Sequence, residues 1–156
     1  MIIRFRSGGV LKIPLGADTA YGLMLTTFPY FGFYPVRSVR EAAQAQIPPA
    51  ERPLFTVAVH RSAYSSGRWG TVLYRVPEEL IPPIPLFFRQ NVMNPDDCEI
   101  VDPQGGIRKA IIDECIGLER SSVWSAEHVE QRLTDHYAGR PNKHVESMVL
   151  KRRPPD

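Results

Sequence analysis

Short runs of alternating apolar and polar positions, broken by glycine and proline, dominate this chain and predict strands. "VLKIPL" (10–15) puts Leu11, Ile13 and Leu15 on one face and leaves the side of Val10 open. "GAD" (16–18) turns the chain and "TAYGLMLT" (19–26) returns, which predicts a hairpin. Pro14 places the first strand at an edge or a bulge, and Gly22 hints at a bulge or sharp bend in the second. "PLFTVAVH" (53–60) is the richest β-former, with "TVLYRV" (71–76) as its expected neighbour. "PEELIPPIP" (77–85) reads as extended loop, and "CEIVD" (98–102) and "IRKAIID" (107–113) as a second hairpin around "PQGG". "VESMVL" (145–150) alternates and is expected as a final strand.

Helical spacing occurs twice. "RSVREAAQAQ" (37–46) carries Ser38 and Glu41 at capping-box distance, and "IPP" (47–49) ends it. The longer helix starts at Ser125 as N-cap. Val129, Leu133 and Tyr137 form its apolar stripe, and Gly139 and Pro141 stop it. The prediction is an α+β fold: a small, strongly bent antiparallel sheet or partial barrel with one main C-terminal helix and one short helix.

Composition narrows the class. The 156 residues fit one domain, expected over 1–150, and fifteen prolines demand many loops and short elements. A net charge of +2 gives no reason to expect a nucleic-acid or membrane partner. The basic run at 151–156 reads as a solvated tail. No apolar stretch approaches the ~20 residues of a membrane helix, and "MIIRFRSGGV" lacks a signal h-region, so the cytoplasm is the expected location. Cys98 and Cys115 have no zinc-site spacing. They fit two buried thiols or a disulfide, and the sequence leaves their pairing open.

Candidate chemistry is sparse. His128 and His136 stand two helical turns apart, about 12 Å, too far to share a metal. A small hydrolase would use His60 with a serine of "RSAYSSG" (61–67), or a carboxylate pair among Asp96, Asp97, Glu99, Asp102, Asp113 and Glu114. No GxSxG elbow is present, and "SSGRWG" is not a P-loop. A single-stranded nucleic-acid binder would use the aromatics of "FPYFGFYPVR", which one arginine follows.

Three stretches carry a resemblance. "GVLKIPLGADTAYGLML" (9–25) resembles the opening hairpin of the bacterial immunity protein 26 family, with its I-P-L strand followed by a Y-G strand. "FTVAVHRSAYSSGRWGTV" (55–72) resembles that family's central strand and its Trp-ending connection. "GLERSSVWSAEHVEQRLTDHYAGRPN" (117–142) looks like the acidic-Trp-helix segment of longer relatives. The resemblance implies a single immunity-type α+β domain from a polymorphic toxin or contact-dependent inhibition system. Such a protein binds a cognate toxin domain one-to-one, as monomer or weak dimer, with no catalytic residue, cofactor or metal of its own.

Interface energy concentrates in aromatics and arginine, so Tyr30, Tyr34, Tyr64, Arg68 and Trp69 are the expected partner-binding residues. In "YFGFY", strand alternation sends Phe31 and Phe33 to the core and Tyr30 and Tyr34 to a half-wet surface. The competing pictures have these aromatics filling both faces of a bent sheet, and Trp69 folded back as a lid over it. Trp124 is expected to plug the helix onto the sheet. Glu127, Glu130 and Asp135 form an acidic set able to mimic nucleic acid.

Overall fold

Gly16 and Ala17 close the first hairpin. The computed structural model describes residues 2–37 and 52–152. In it Gly9–Leu15 (β1) runs antiparallel to Asp18–Met24 (β2), with Leu15 opposite Asp18. The two-residue loop requires positive φ, which Gly16 supplies at 69°. Such a loop closes on a hydrogen-bonded pair. The next pair, Pro14 and Thr19, is therefore a non-hydrogen-bonded one, and the missing N–H of Pro14 costs this ladder nothing. Gly22 marks no bulge, because the register runs unbroken from Leu11 through Gly22 to Phe33. A Cβ on Gly22 would stand 3.2 Å from Phe33 and 3.4 Å from Phe31, so the glycine makes room for rings.

The remaining strands are Tyr30–Tyr34 (β3), Phe55–Val59 (β4), Tyr74–Arg75 (β5), Phe87–Gln90 (β6), Cys98–Val101 (β7), Ile107–Ala110 (β8), Glu119–Arg120 (β9) and Val123–Trp124 (β10). Helices follow at Ala126–Ala138 (α1) and Lys143–Ser147 (α2). Among the described residues the fold is thus α+β, with a six-stranded sheet ordered β10-β4-β3-β2-β1-β5 and a four-stranded sheet ordered β8-β7-β6-β9. Neither sheet closes into a barrel. The chain divides into two compact units, Met1–Ile84 with Val123–Asn142, and Pro85–Ser122 with Lys143–Asp156.

In the first unit the central strands β2, β3 and β4 are buried on both faces over most of their length. Leu11, Ile13, Phe31, Phe33 and Phe55 share one face. The α1 side chain Arg132 lays its guanidinium 3.8 Å over the Phe55 ring and 5.1 Å from Trp124. Ser125 accepts the N–H of His128 at the start of α1, and Gly139 ends it at φ 67°. Val129 and Leu133 are fully buried and Tyr137 half-buried, as the stripe predicts. Near the helix end, buried Asp135 accepts from Gln131 (2.9 Å), Asn142 (2.8 Å) and Arg140.

The second unit holds the hairpin predicted around residues 103–106, flanked by β6, which the pattern did not single out. Phe88, Cys98, Ile100 and Cys115 form its core, and both cysteines are free thiols. The side chain of Arg120 covers the Phe88 ring at 4.8 Å and donates to the carbonyls of Met148 and Val149. The basic run begins tied down, since the N–H of Lys151 donates to Gln90 and its carbonyl accepts from the same side chain.

Several expectations are corrected. Residues 71–76 do not neighbour β4, whose two sides are taken by β3 and, in parallel, by β10. Tyr74 and Arg75 pair with Val10 and Gly9 instead. Residues 145–150 are not a strand: half-buried Val145 and Met148 lie three apart, a helical spacing, and the N–H of Met148 donates to the carbonyl of Val145. The sheets are not purely antiparallel, because the late strands β9 and β10 each join in parallel. The short helix expected at 37–46, with Ser38 and Glu41, lies outside the described residues apart from Arg37.

Candidate functional site

The connection after β4 is built around its own anchors. His60 caps a single 3-10 turn at Arg61–Ala63, its Nδ1 accepting the N–H of Ser62 at 3.2 Å and standing 2.7 Å from the Ser62 hydroxyl. Both residues are exposed and the contact spans one turn, so the imidazole acts here as a backbone cap. Tyr64 then drops into the core against Phe31, ring centres 5.3 Å apart. Two glycines with positive φ, Gly67 and Gly70, bracket Arg68 and Trp69.

Trp69 is fully buried, edge-on to Phe31 at 6.1 Å and Phe33 at 6.0 Å. Its indole N–H donates to Glu130 on α1 at 2.9 Å. Arg68, beside it, donates from Nε and Nη2 to the same carboxylate, at 2.8 and 2.9 Å, and from Nη1 to Glu127 at 3.0 Å. Glu127 and Glu130 are one helical turn apart, so one face of α1 presents both carboxylates to one guanidinium. The hydrogen bonds that Arg68 donates to Glu130 more than compensate desolvation and raise its already high basicity. Glu127 is held below the usual glutamate range by its own N–H in the open first turn and by the charge of Arg68. The Arg68 side chain stays 41% exposed and Glu127 68%, against 20% for Glu130. The result is a fixed, charged rim standing on a buried tryptophan.

The five expected partner-binding residues do not come together. Trp69, Tyr64 and Tyr34 are core side chains, at 0%, 1% and 2% exposure, which corrects their placement on a surface. The cause is area: the rings cover both faces of the sheet, and the tyrosine hydroxyls are buried with them. Burial pushes the Tyr34 hydroxyl well above the ordinary tyrosine range and raises that of Tyr64 as well. Arg68 is exposed over α1. Tyr30, half-buried, lies on the opposite face of the sheet, in a cross-strand row with Ala58 and with Val123, which is 59% exposed. Phe28, 57% exposed and edge-on to Phe5 at 5.4 Å, was missed by strand logic because it precedes Pro29 outside β3. The Phe-Pro pair itself was the available signal for a turn.

Asp97 and Glu114 of the candidate acidic set are already engaged. In the second unit Asp97 meets Lys109 at 2.8 Å and Glu114 meets Arg108 at 3.1 Å, and both carboxyls are held low. A glycosidase-type pair requires one of its carboxyls held high. Asp135 is buried, so the acidic set of α1 presents chiefly Glu127 to solvent. Among the described residues no group of three or more His, Cys, Asp or Glu is placed to hold a metal ion, and no helix is long and apolar enough to cross a membrane. Comparison of the chain with protein families, with curated proteins and with solved structures yields no match.

Proposed function

We propose that this chain is a binding protein that neutralises a bacterial polymorphic toxin by covering the toxin's functional surface, one-to-one, in the cytoplasm of the producing cell. One observation carries the reading: Arg68 is exposed yet held rigid by Glu127, Glu130 and the buried Trp69. Arginine is favoured at the energetic centre of interfaces, and a side chain fixed before binding loses little entropy on contact. Three of the five guanidinium N–H groups are used internally, which leaves two donors for a partner. The resemblance of residues 9–25, 55–72 and 117–142 to immunity protein 26 sequences supports the same class.

Co-expression tests it. The chain should rescue cells from the toxin domain encoded beside it. Arg68→Ala, with Trp69 intact, should lower affinity at least tenfold in a pull-down while the circular dichroism spectrum is unchanged. Failure of the natural chain to rescue, with the protein folded and abundant, overturns the proposal.

A further inference from the structure

The face of the six-stranded sheet turned away from Phe31 and Phe33 is lined by tyrosines. Tyr21 and Tyr34 oppose each other across β2 and β3, and Val10, Leu23, Leu25 and Val76 complete a buried cluster with them. The chain covers this cluster itself. After a 3-10 turn at Glu78–Leu80, Ile81 and Ile84 pack against it, as does Tyr30.

Two features of the cover match polyproline II. Ile81 has φ −76° and ψ 126°, close to the −75° and +145° of that helix. Its inward residues, Ile81 and Ile84, are three apart, which is the repeat of a helix with three residues per turn, while Pro83 between them is exposed. Pro82 and Pro83 fix their own φ near −65° and so hold the segment extended. A proline-rich segment thus lies on aromatic side chains, the arrangement by which aromatic-lined grooves receive polyproline II ligands.

An independent observation points to a ligand with more to offer than the cover has. The Tyr34 hydroxyl is buried, with the residue 2% exposed, and finds no hydrogen-bond partner among the described residues. Buried tyrosine hydroxyls ordinarily find one. Ile81 and Ile84 fill the apolar part of the site with side chains that accept no hydrogen bond. A peptide seated with a carbonyl in reach of Tyr34 would supply the acceptor.

We propose that this tyrosine-lined face is a binding site for a proline-rich peptide in polyproline II conformation, kept closed by the chain's own residues 77–84. The site lies across the sheet from Arg68 and stands independently of the toxin-binding reading. The cover acts as a tethered competitor at an effective concentration on the order of millimolar. Free peptide at several millimolar therefore displaces it in part, and weakening it opens the site.

The test uses the full chain, labelled with nitrogen-15, and two synthetic peptides. One has the sequence PEELIPPIPL; the other carries alanine in place of its last three prolines. Ile81→Ser/Ile84→Ser should bind the proline peptide at least tenfold more tightly than the natural chain does. The amide shifts should fall on β2 and β3, and the alanine peptide should bind at least tenfold more weakly. If the double variant does not fold, the natural chain decides. At several millimolar, the proline peptide must move the amides of Tyr21 and Tyr34 and the alanine peptide must not. Equal binding of both peptides, or no shift on β2 and β3, overturns the proposal.

Discussion

The indole N–H of Trp69 donates to the Glu130 carboxylate at 2.9 Å, and Arg68 grips the same carboxylate with two donors. One acidic side chain therefore serves a core residue and a surface residue at once. Loss of Glu130 strands a buried N–H as well as an exposed charge. Glu130→Ala should cost about 2 kcal/mol. Glu127→Ala, which removes an exposed ion pair and a carboxylate from the open first turn of the helix, should cost much less. Trp69→Ala empties a fully buried site and should cost about 3–5 kcal/mol. Urea midpoints of the three variants give the order, and equal shifts for Glu130→Ala and Glu127→Ala would contradict it.

Two tyrosine hydroxyls should answer oppositely to removal. Tyr137 donates to the carbonyl of Thr19 at 2.6 Å, so Tyr137→Phe should lose about 1 kcal/mol. Tyr34→Phe deletes a buried hydroxyl with no partner among the described residues and should leave stability unchanged or raise it by about 1 kcal/mol. Thermal melts of both variants check the contrast. A marked loss in Tyr34→Phe would show that the hydroxyl is bonded.

Asp135 sets an acid limit. Burial alone would raise its pKa, but hydrogen bonds from Arg140, Asn142 and Gln131 more than offset this and hold it below the ordinary aspartate range. The unfolded chain then binds the proton more readily, at about pH 3.9, and stability rises with pH through that region. The contribution is complete above about pH 5 and is lost as pH falls through the unfolded value and below it. Asp135→Asn should cost about 2 kcal/mol at pH 7 and flatten the acid limb of a stability-pH curve. A limb of unchanged slope would remove Asp135 from that role.

The two cysteines should be silent in the folded protein. Burial first, and then Cys98 beside it, pushes the Cys115 thiol up to about 11. At pH 8 its thiolate fraction is on the order of one in a thousand, and Cys98 is 1% exposed. Ellman's reagent should label neither thiol in native buffer within minutes and both in denaturant. Rapid native labelling would mean that the second unit opens readily.

Local periodicity made the first hairpin, the second hairpin and α1 legible, because residues near in sequence carry the signal for each. Pairings between distant segments left no such trace. Nothing in "TVLYRV" distinguishes pairing with Gly9 and Val10 from pairing with β4, since either partner suits the same side chains. Arg68 is on the surface as its chemistry suggests, but Tyr34, Tyr64 and Trp69 went inward because alternation assigns a face without saying whether that face is covered. The cover over Tyr34 is the proline-rich segment after β5, which reads as loop. The helix partners of Trp69 and Arg68 were written in Glu130 and Glu127, one turn apart, and were missed because their acidity suggested an outward role.

The interleaving of the two units has a consequence for synthesis. During translation, the β4 edge that receives β10 must wait while the whole of segment 85–122 emerges. Over that interval a five-residue, fully buried strand has an open flank, a template for pairing with the wrong chain. Chaperone dependence in cells should therefore track how fast residues 123–138 arrive, and slowing codons just upstream of Val123 should lower soluble yield without altering a single side chain.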